Sequence, residues 1–322
     1  MHIRLLIKWL AFLMVLALLP LSLAEEEIPP LETPAPARIH ESPEPIPELP
    51  VIVNHSLPDD PWADIKFRSD SVFLHIWFPN IMNADEAILL CEDEVWLIDC
   101  GDERSAARGV ELMNKLGITK IDKLFNTHPH YDHLRGLEVT HTSVPVKELL
   151  ICFPEDACET MINAVAYAKE HAIPIRQYND GEIFTMAGRV SLKFFFNDDE
   201  SLDMNNNSAQ TLLQYGDRRM LFMADMDRPG QQVMLTRRSA EELRAEVIKY
   251  PHHGKTGLLD EFYQAVRPQL AVITNSYVKW GGIEYLIWKQ IPRFYTNPTE
   301  KYVHLYTDGK TWVAEYVPMS FK

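Results

Sequence analysis

One short run limits what this chain can fold into more than any other. Thr127-His128-Pro129-His130-Tyr131-Asp132-His133 follows directly on the apolar segment IDKLFN. If the stretch is locally extended, His128 and His130 point the same way, and Asp132 and His133 follow on the turn. Imidazole and carboxylate are the donors that zinc, manganese or iron select. The competing reading is a polar surface loop that happens to hold histidine. Three imidazoles and a carboxylate at this spacing after an apolar strand rarely arise by chance, so the run predicts a metal site.

Two further clusters sit at the ends of apolar strands. RRMLFMAD brings out Asp225, where a carboxylate can bridge two ions, with Asp227 as a competing candidate. VIKYPHHGK ends its strand at Pro251 and places His252, His253 and Gly254 on a tight turn. Adjacent histidines on a turn do not easily ligate the same ion. One is therefore expected to bind metal while the other supports it or meets substrate; the alternative is a buried, hydrogen-bonded histidine pair.

The rest of the chain reads as alternating strands and helices. SVFLHIWF alternates as a half-buried strand, and AILLCEDEVWLIDCG reads as a hairpin turning at Glu92-Asp93-Glu94. RSAARGVELMNKLG has helical spacing and closes on Gly117, while DACETMINAVAYAKEHA is a second helix after the strand VKELLIC. RVSLKFFFN, AQTLLQYG, RRMLFMAD, AEVIKY and QLAVITN are further strands, with a helix over LLDEFYQAV. YVHLYTDGKTWVAEY is a closing hairpin turning at Asp308-Gly309. Mixed strands and helices with antiparallel hairpins predict α/β layers rather than a purely parallel sheet.

Residues 1–24 read as an export signal: His2, Arg4 and Lys8, an apolar Trp9 to Leu19, Pro20, then Ser22-Leu23-Ala24. The expected location is secreted or extracytoplasmic, with an uncleaved anchor as the alternative and no membrane domain beyond this segment. Residues 25–62 are rich in Pro and Glu and predict an extended spacer. Residues 63–322 then form one domain. Four cysteines permit disulfides without demanding them; Cys152 and Cys158 bracket Pro154 closely enough to bridge, whereas Cys91 and Cys100 look out of register. The formal charge of −15 gives a surface that repels polyanions, so a nucleic-acid substrate needs a local basic patch or bound metal. Lys249, Lys255 and Arg135 are the candidates for such a rim. His55, His75, His141, His171 and His304 lack ligand spacing and read as ordinary histidines.

Taken in order, NADEAILL with LIDCG, NTHPHYDHLRG, NNNSAQTLLQYG with LFMAD, and YPHHGK resemble the metallo-β-lactamase superfamily over residues 70 to 315. The Asn-Asn-Ser and His-His-Gly elements are similar to the hydrolase domain of the bacterial DNA-uptake competence channel (ComEC-type). The resemblance implies an αββα sandwich of two mixed sheets flanked by helices, and two divalent ions, zinc foremost and manganese as the alternative. It implies His128 and His130 on the first ion, and Asp132, His133 and His253 on the second, with Asp225 bridging. Asp99 would brace the metal loop, and His252 and Arg135 would stand behind the ligands or meet substrate. Asp132 would orient a water carried by the ions and take its proton; His253 is the other residue placed in the catalytic centre.

Three departures bear on this. The third histidine of the first site is replaced within Asn206-Asn207-Ser208, where Asn207 aligns best. Arg135 stands where a glycine usually follows the His-Asp-His run. The competence subgroup has Asp at the position of His130, and its C-terminal His-Pro element is missing. The leading expectation is a phosphodiesterase acting on a nucleic-acid or small nucleotide substrate, with no protein partner predicted. The alternatives are a hydrolase of esters, thioesters or lactams, and a degenerate domain that binds metal without turnover.

Overall fold

In the computed structural model, which describes residues 51–54, 73–276, 282–297 and 300–319, alternating side chains set two sheets face to face. The first sheet begins with β1 (Val51–Asn54), β2 (Leu74–Phe78), β3 (Ala87–Cys91), β4 (Glu94–Ile98), β5 (Lys123–Phe125), β6 (Leu149–Ile151) and β7 (Ile175–Gln177). The second takes β8 (Ile183–Met186), β9 (Val190–Phe195), β10 (Gln210–Tyr215), β11 (Arg218–Phe222), β12 (Val247–Lys249), β13 (Leu270–Ile273) and β14 (Arg293–Tyr295). The chain then returns to the first sheet as β15 (Lys301–Thr307) and β16 (Trp312–Pro318). The strand orders are β1-β16-β15-β2-β3-β4-β5-β6-β7 and β14-β13-β12-β11-β10-β9-β8.

Each sheet is mixed. In the first, β15-β2-β3-β4 pair antiparallel and β4-β5-β6-β7 parallel. In the second, β8-β9-β10-β11 pair antiparallel and β11-β12-β13-β14 parallel. Between the sheets, Leu74, Ile76 and Phe78 of β2 and Trp96 and Ile98 of β4 meet Leu192, Phe194, Leu213, Phe222 and Val272. The intervening residues of the same strands, such as Trp77, Val95 and Leu97, face the opposite way onto helices.

Helices cover both outer faces. On the first sheet lie α1 (Glu103–Lys115), α2 (Tyr131–Leu134), α3 (Leu137–Ser143) and α4 (Glu159–Glu170). On the second lie α5 (Arg228–Arg237), α6 (Ala240–Leu243), α7 (Asp260–Val266) and α8 (Glu284–Trp288). The start of α1 is set by Asp102, whose side chain accepts from Ser105 N at 2.8 Å. Its Gly109 rests on the buried Glu86 carboxyl, leaving no space for a Cβ. The result is α/β, two mixed sheets flanked by helices, the layering the sequence implies.

The expected export signal and most of the spacer lie outside the described residues. Val51–Asn54, inside the stretch read as spacer, forms β1 and pairs parallel with β16. The short strands β7, β8 and β14 carry too few residues to show a period. All four cysteines are free thiols, so the bridge considered between Cys152 and Cys158 is not formed. Among the described residues no helix is long and apolar enough to cross a membrane.

Candidate metal centre

The parallel halves of the two sheets point their strand ends at one place. β4 leads to Asp99, β5 to His128, β11 to Asp225, β12 to His253 and β13 to Thr274. Four of these residues, Asp99, His128, Asp225 and His253, are essentially buried charge-bearing groups at the edge of an apolar core. Such groups persist there only when paired or ligated.

Asp99 organises the loop that carries the histidine run. Held in a left-handed turn (φ 57°), it accepts from Thr127 N at 2.8 Å, Thr127 Oγ1 at 2.7 Å and Asn126 Nδ2 at 3.2 Å. It also faces His133 Nδ1 at 2.7 Å. Three thiols brace the loop from outside: Cys152 donates to Thr127 O at 3.3 Å, Cys158 to Pro129 O at 3.3 Å and Cys100 to Leu134 O at 3.5 Å. That contact with carbonyls is where the cysteines find their role instead of a disulfide.

Asp132 and His133 emerge on α2, a single turn capped at its start by the extended His130. His252, His253 and Gly254 take successive positive φ angles of 47°, 52° and 81°. Two histidines in the left-handed region are costly, and the turn uses that cost to send the two rings to different places. His253 is fully buried, and its Nε2 lies 3.3 Å from Asp225 Oδ2 and 3.4 Å from Asp132 Oδ2. His133 Nε2 approaches the same Asp225 Oδ2 at 3.3 Å. His252 stays partly exposed, with Nδ1 2.9 Å from Asp227 Oδ1 and Nε2 3.7 Å from Asp225 Oδ2. Asp227 therefore orients His252, and Asp225 rather than Asp227 joins the cluster.

Ligand atoms of Asp132, His133, Asp225 and His253 all lie within 4.8 Å of one another. His133 Nε2 and His253 Nε2 are buried with no hydrogen-bond partner among the described residues, and both face Asp225 Oδ2. Buried polar atoms are rarely left so, and nitrogen and oxygen donors converging in this way fit a divalent ion. Electrostatics agree with this. Burial opposes a proton on His253, but Asp225 and Asp85 more than reverse it and push the ring up to about 10. His133 is likewise lowered by burial but carried well above its ordinary value by Asp225 and Asp99. The anionic pocket thus holds protons where an ion belongs.

The first site differs. His128 Nε2 and His130 Nδ1 converge at 3.1 Å, and burial keeps both rings below their ordinary pKa, as neutral donors. The third position is not Asn207. Its Oδ1 accepts from Asp199 N at 3.0 Å and its Nδ2 donates to Asp199 O at 2.8 Å and Leu202 O at 3.0 Å, so the amide is consumed by its own loop. Asn205 stands beside His130 instead, with its Oδ1 buried and lacking a well-formed hydrogen bond.

Arg135 and Lys249 also depart from expectation. Arg135 pairs with Glu103 at 2.7 Å and lines a groove with Glu138, Glu159 and Tyr167, apart from the ligand cluster. Lys249 is 2% exposed and cannot serve as a rim; Lys255 is exposed. Asp85 was not anticipated: Oδ1 accepts from Thr274 Oγ1 at 2.5 Å and faces His253 Nδ1 at 3.1 Å, and Oδ2 pairs with Lys249. A lysine inside the apolar strand Val247–Lys249 was the available signal, since such a charge demands a buried partner. His75 and His304 are core residues, 3.0 Å apart, with His304 also 2.9 Å from Glu315.

Residues 87–148 match the model of the metallo-beta-lactamase superfamily. A segment of 60 residues is 40% identical to ribonuclease Z of Pediococcus pentosaceus, covering 19% of this chain and 18% of that protein's length. Among solved structures, the metallo-beta-lactamase fold protein YhfI from Bacillus subtilis is similar at TM-score 0.45 and 11% identity, over 70% of this chain and 96% of that one. A metallo-beta-lactamase from Cronobacter sakazakii gives TM-score 0.38 and 18% identity, over 54% and 75%. The matched residues 87–148 include Asp99 and the whole histidine run.

Proposed function

We propose that this chain is a metal-dependent hydrolase that cleaves phosphodiesters in nucleic acid or nucleotides. The observation that carries the reading is the set of buried, partnerless nitrogens of His133 and His253 around the Asp225 carboxylate. Asp132, His133, Asp225 and His253 would hold one ion, and His128 and His130, with Asp225 between, a second. Bound ions supply Lewis acidity toward the scissile group and make water a better nucleophile near neutral pH. Asp132 is buried and faces the cluster, 3.4 Å from His253 Nε2, which suits it to orient an attacking water and accept its proton. His252, held by Asp227 and partly exposed beside Asp225, would be placed to meet a leaving group. The short stretch of identity to a ribonuclease adds weight to a phosphodiester substrate. An exported form is proposed from residues 1–24.

The net charge of −15 favours a second reading, in which the substrate is an uncharged ester, thioester or lactam. Burial of Lys249 and the pairing of the exposed Arg135 with Glu103 weaken the expected basic rim, leaving the exposed Lys255. The two readings separate on chromogenic substrates. With zinc or manganese restored, turnover of a phosphodiester that Asp132→Asn reduces by at least ~10²-fold supports the first. Turnover of an ester or lactam alone, with folded and metal-loaded protein, moves the assignment to the second.

A further inference from the structure

Lys249 is a charge where the fold ordinarily excludes one. Val247, Ile248 and Lys249 of β12 are all buried between neighbouring parallel strands. An ammonium at that depth persists only with good partners. Its Nζ pairs with Asp85 Oδ2, donates to Ala224 O at 2.9 Å and lies 3.9 Å from Asp225 Oδ1.

Two short paths lead from this one cation to the ligand cluster. Through Asp85 it reaches the back of His253, because Asp85 Oδ1 faces His253 Nδ1 at 3.1 Å and Thr274 Oγ1 bonds to both. The second path is direct. Asp225 turns Oδ1 toward Lys249 while Oδ2 faces the Nε2 atoms of His133 and His253 at 3.3 Å. Ala224, whose carbonyl also receives Lys249, is the left-handed residue (φ 45°) that aims Asp225 inward.

We infer that Lys249 is the positioning cation of the metal centre: it fixes the His253 ring through Asp85 and draws back one oxygen of Asp225, so that a single oxygen is offered to the ions. This rests on the metal reading proposed above. Without the cation, Asp225 is free to rotate and chelate with both oxygens, and His253 loses the carboxylate alignment behind it. A purely structural cross-sheet ion pair would lower stability when broken but leave the coordination of a bound ion unchanged.

Cobalt(II) alone is the probe, added to the purified full chain, because its visible absorption reports coordination number independently of turnover. In folded Lys249→Met the band is expected to weaken and shift relative to wild type, as a carboxylate oxygen is added. Affinity, read by chelator competition, is expected to fall about 10- to 100-fold. If Lys249→Met does not fold, Asp85→Asn/Lys249→Met removes the buried charges together, and the same spectral change is expected because Asp225 has still lost its cation. An unchanged spectrum and affinity in either folded variant overturns the inference while leaving the metal centre intact. Wild type that takes up no cobalt overturns the metal reading itself, and Lys249 with it.

Discussion

His133 and Asp99 are joined across 2.7 Å, Nδ1 to Oδ2, and this contact decides which ring nitrogen of His133 faces the cluster. Asp99 cannot rotate to relax it, because the backbone N and Oγ1 of Thr127 hold both of its oxygens. A carboxylate behind a ligating imidazole fixes its tautomer and raises its basicity. Asp99→Asn should therefore leave a folded domain whose metal affinity is lower by about 10- to 100-fold. Chelator competition against wild type measures it, and equal affinities would remove Asp99 from any role beyond bracing the loop.

Metal uptake should release protons. Burial disfavours charge on His133 and His253, but Asp225 with Asp99 or Asp85 reverses that, so both rings carry protons near neutrality when no ion is present. An ion has to displace the Nε2 protons to bind. Affinity is thus lowest at acid pH, rises with pH, and levels off only as His253 passes its value of about 10. Calorimetry at pH 7.5 in two buffers of different ionisation enthalpy should show one to two protons leaving per chain, roughly one for each displaced ring. Buffer-independent heats would contradict the protonated pocket.

The two ion sites should differ in strength. Asp132, His133, Asp225 and His253 make an anionic set of their own, whereas His128 and His130 share Asp225 with it and have the neutral Asn205 amide where a third imidazole would stand. Native mass spectrometry on dialysed protein is expected to find one ion retained and a second recovered only with excess metal. Asn205→His, which supplies the missing imidazole, should retain two. Asn207→Ala should instead loosen the 199–202 loop by about 1 kcal/mol, through lost amide hydrogen bonds, with ion retention unchanged. If Asn207→Ala alone lost the second ion, the assignment of Asn205 would fail.

The legibility of the chain follows how far apart the interacting residues lie. A strand with a clear period, such as β9, and a histidine run that falls within six residues can be read locally, whereas β2, expected to be half-buried, is buried on both faces. Choosing Asn205 over Asn207 cannot, because it depends on the phase of a turn in which Asn206 bonds Asp203 and Gly230 while Asn207 folds back on residue 199. The pairing of Lys249 with Asp85 crosses 164 positions and both sheets, so the lysine reads as a surface charge until the strand around it is seen to be buried. The cysteines mislead for a related reason. Spacing suggested a bridge, whereas their thiols are spent on carbonyls of the metal loop.

Glu86 should make the domain less stable as pH rises. It is 1% exposed and packed on Gly109, neither carboxyl oxygen has a hydrogen-bond partner among the described residues, and burial raises its pKa well above the ordinary carboxylate value. Below that ordinary range both folded and unfolded chains carry the proton, and the group adds no pH dependence. Above it the unfolded chain ionises while the folded one does not, so the unfolded state is progressively favoured until the folded carboxyl itself ionises. Across that window the cost grows by about 1.4 kcal/mol per pH unit. Glu86→Gln keeps the shape and removes the charge, so its advantage over wild type should widen between pH 5 and 8. Urea denaturation of chelator-treated protein isolates this from metal loss. Parallel pH profiles for the two proteins would show that Glu86 finds a partner or water in solution.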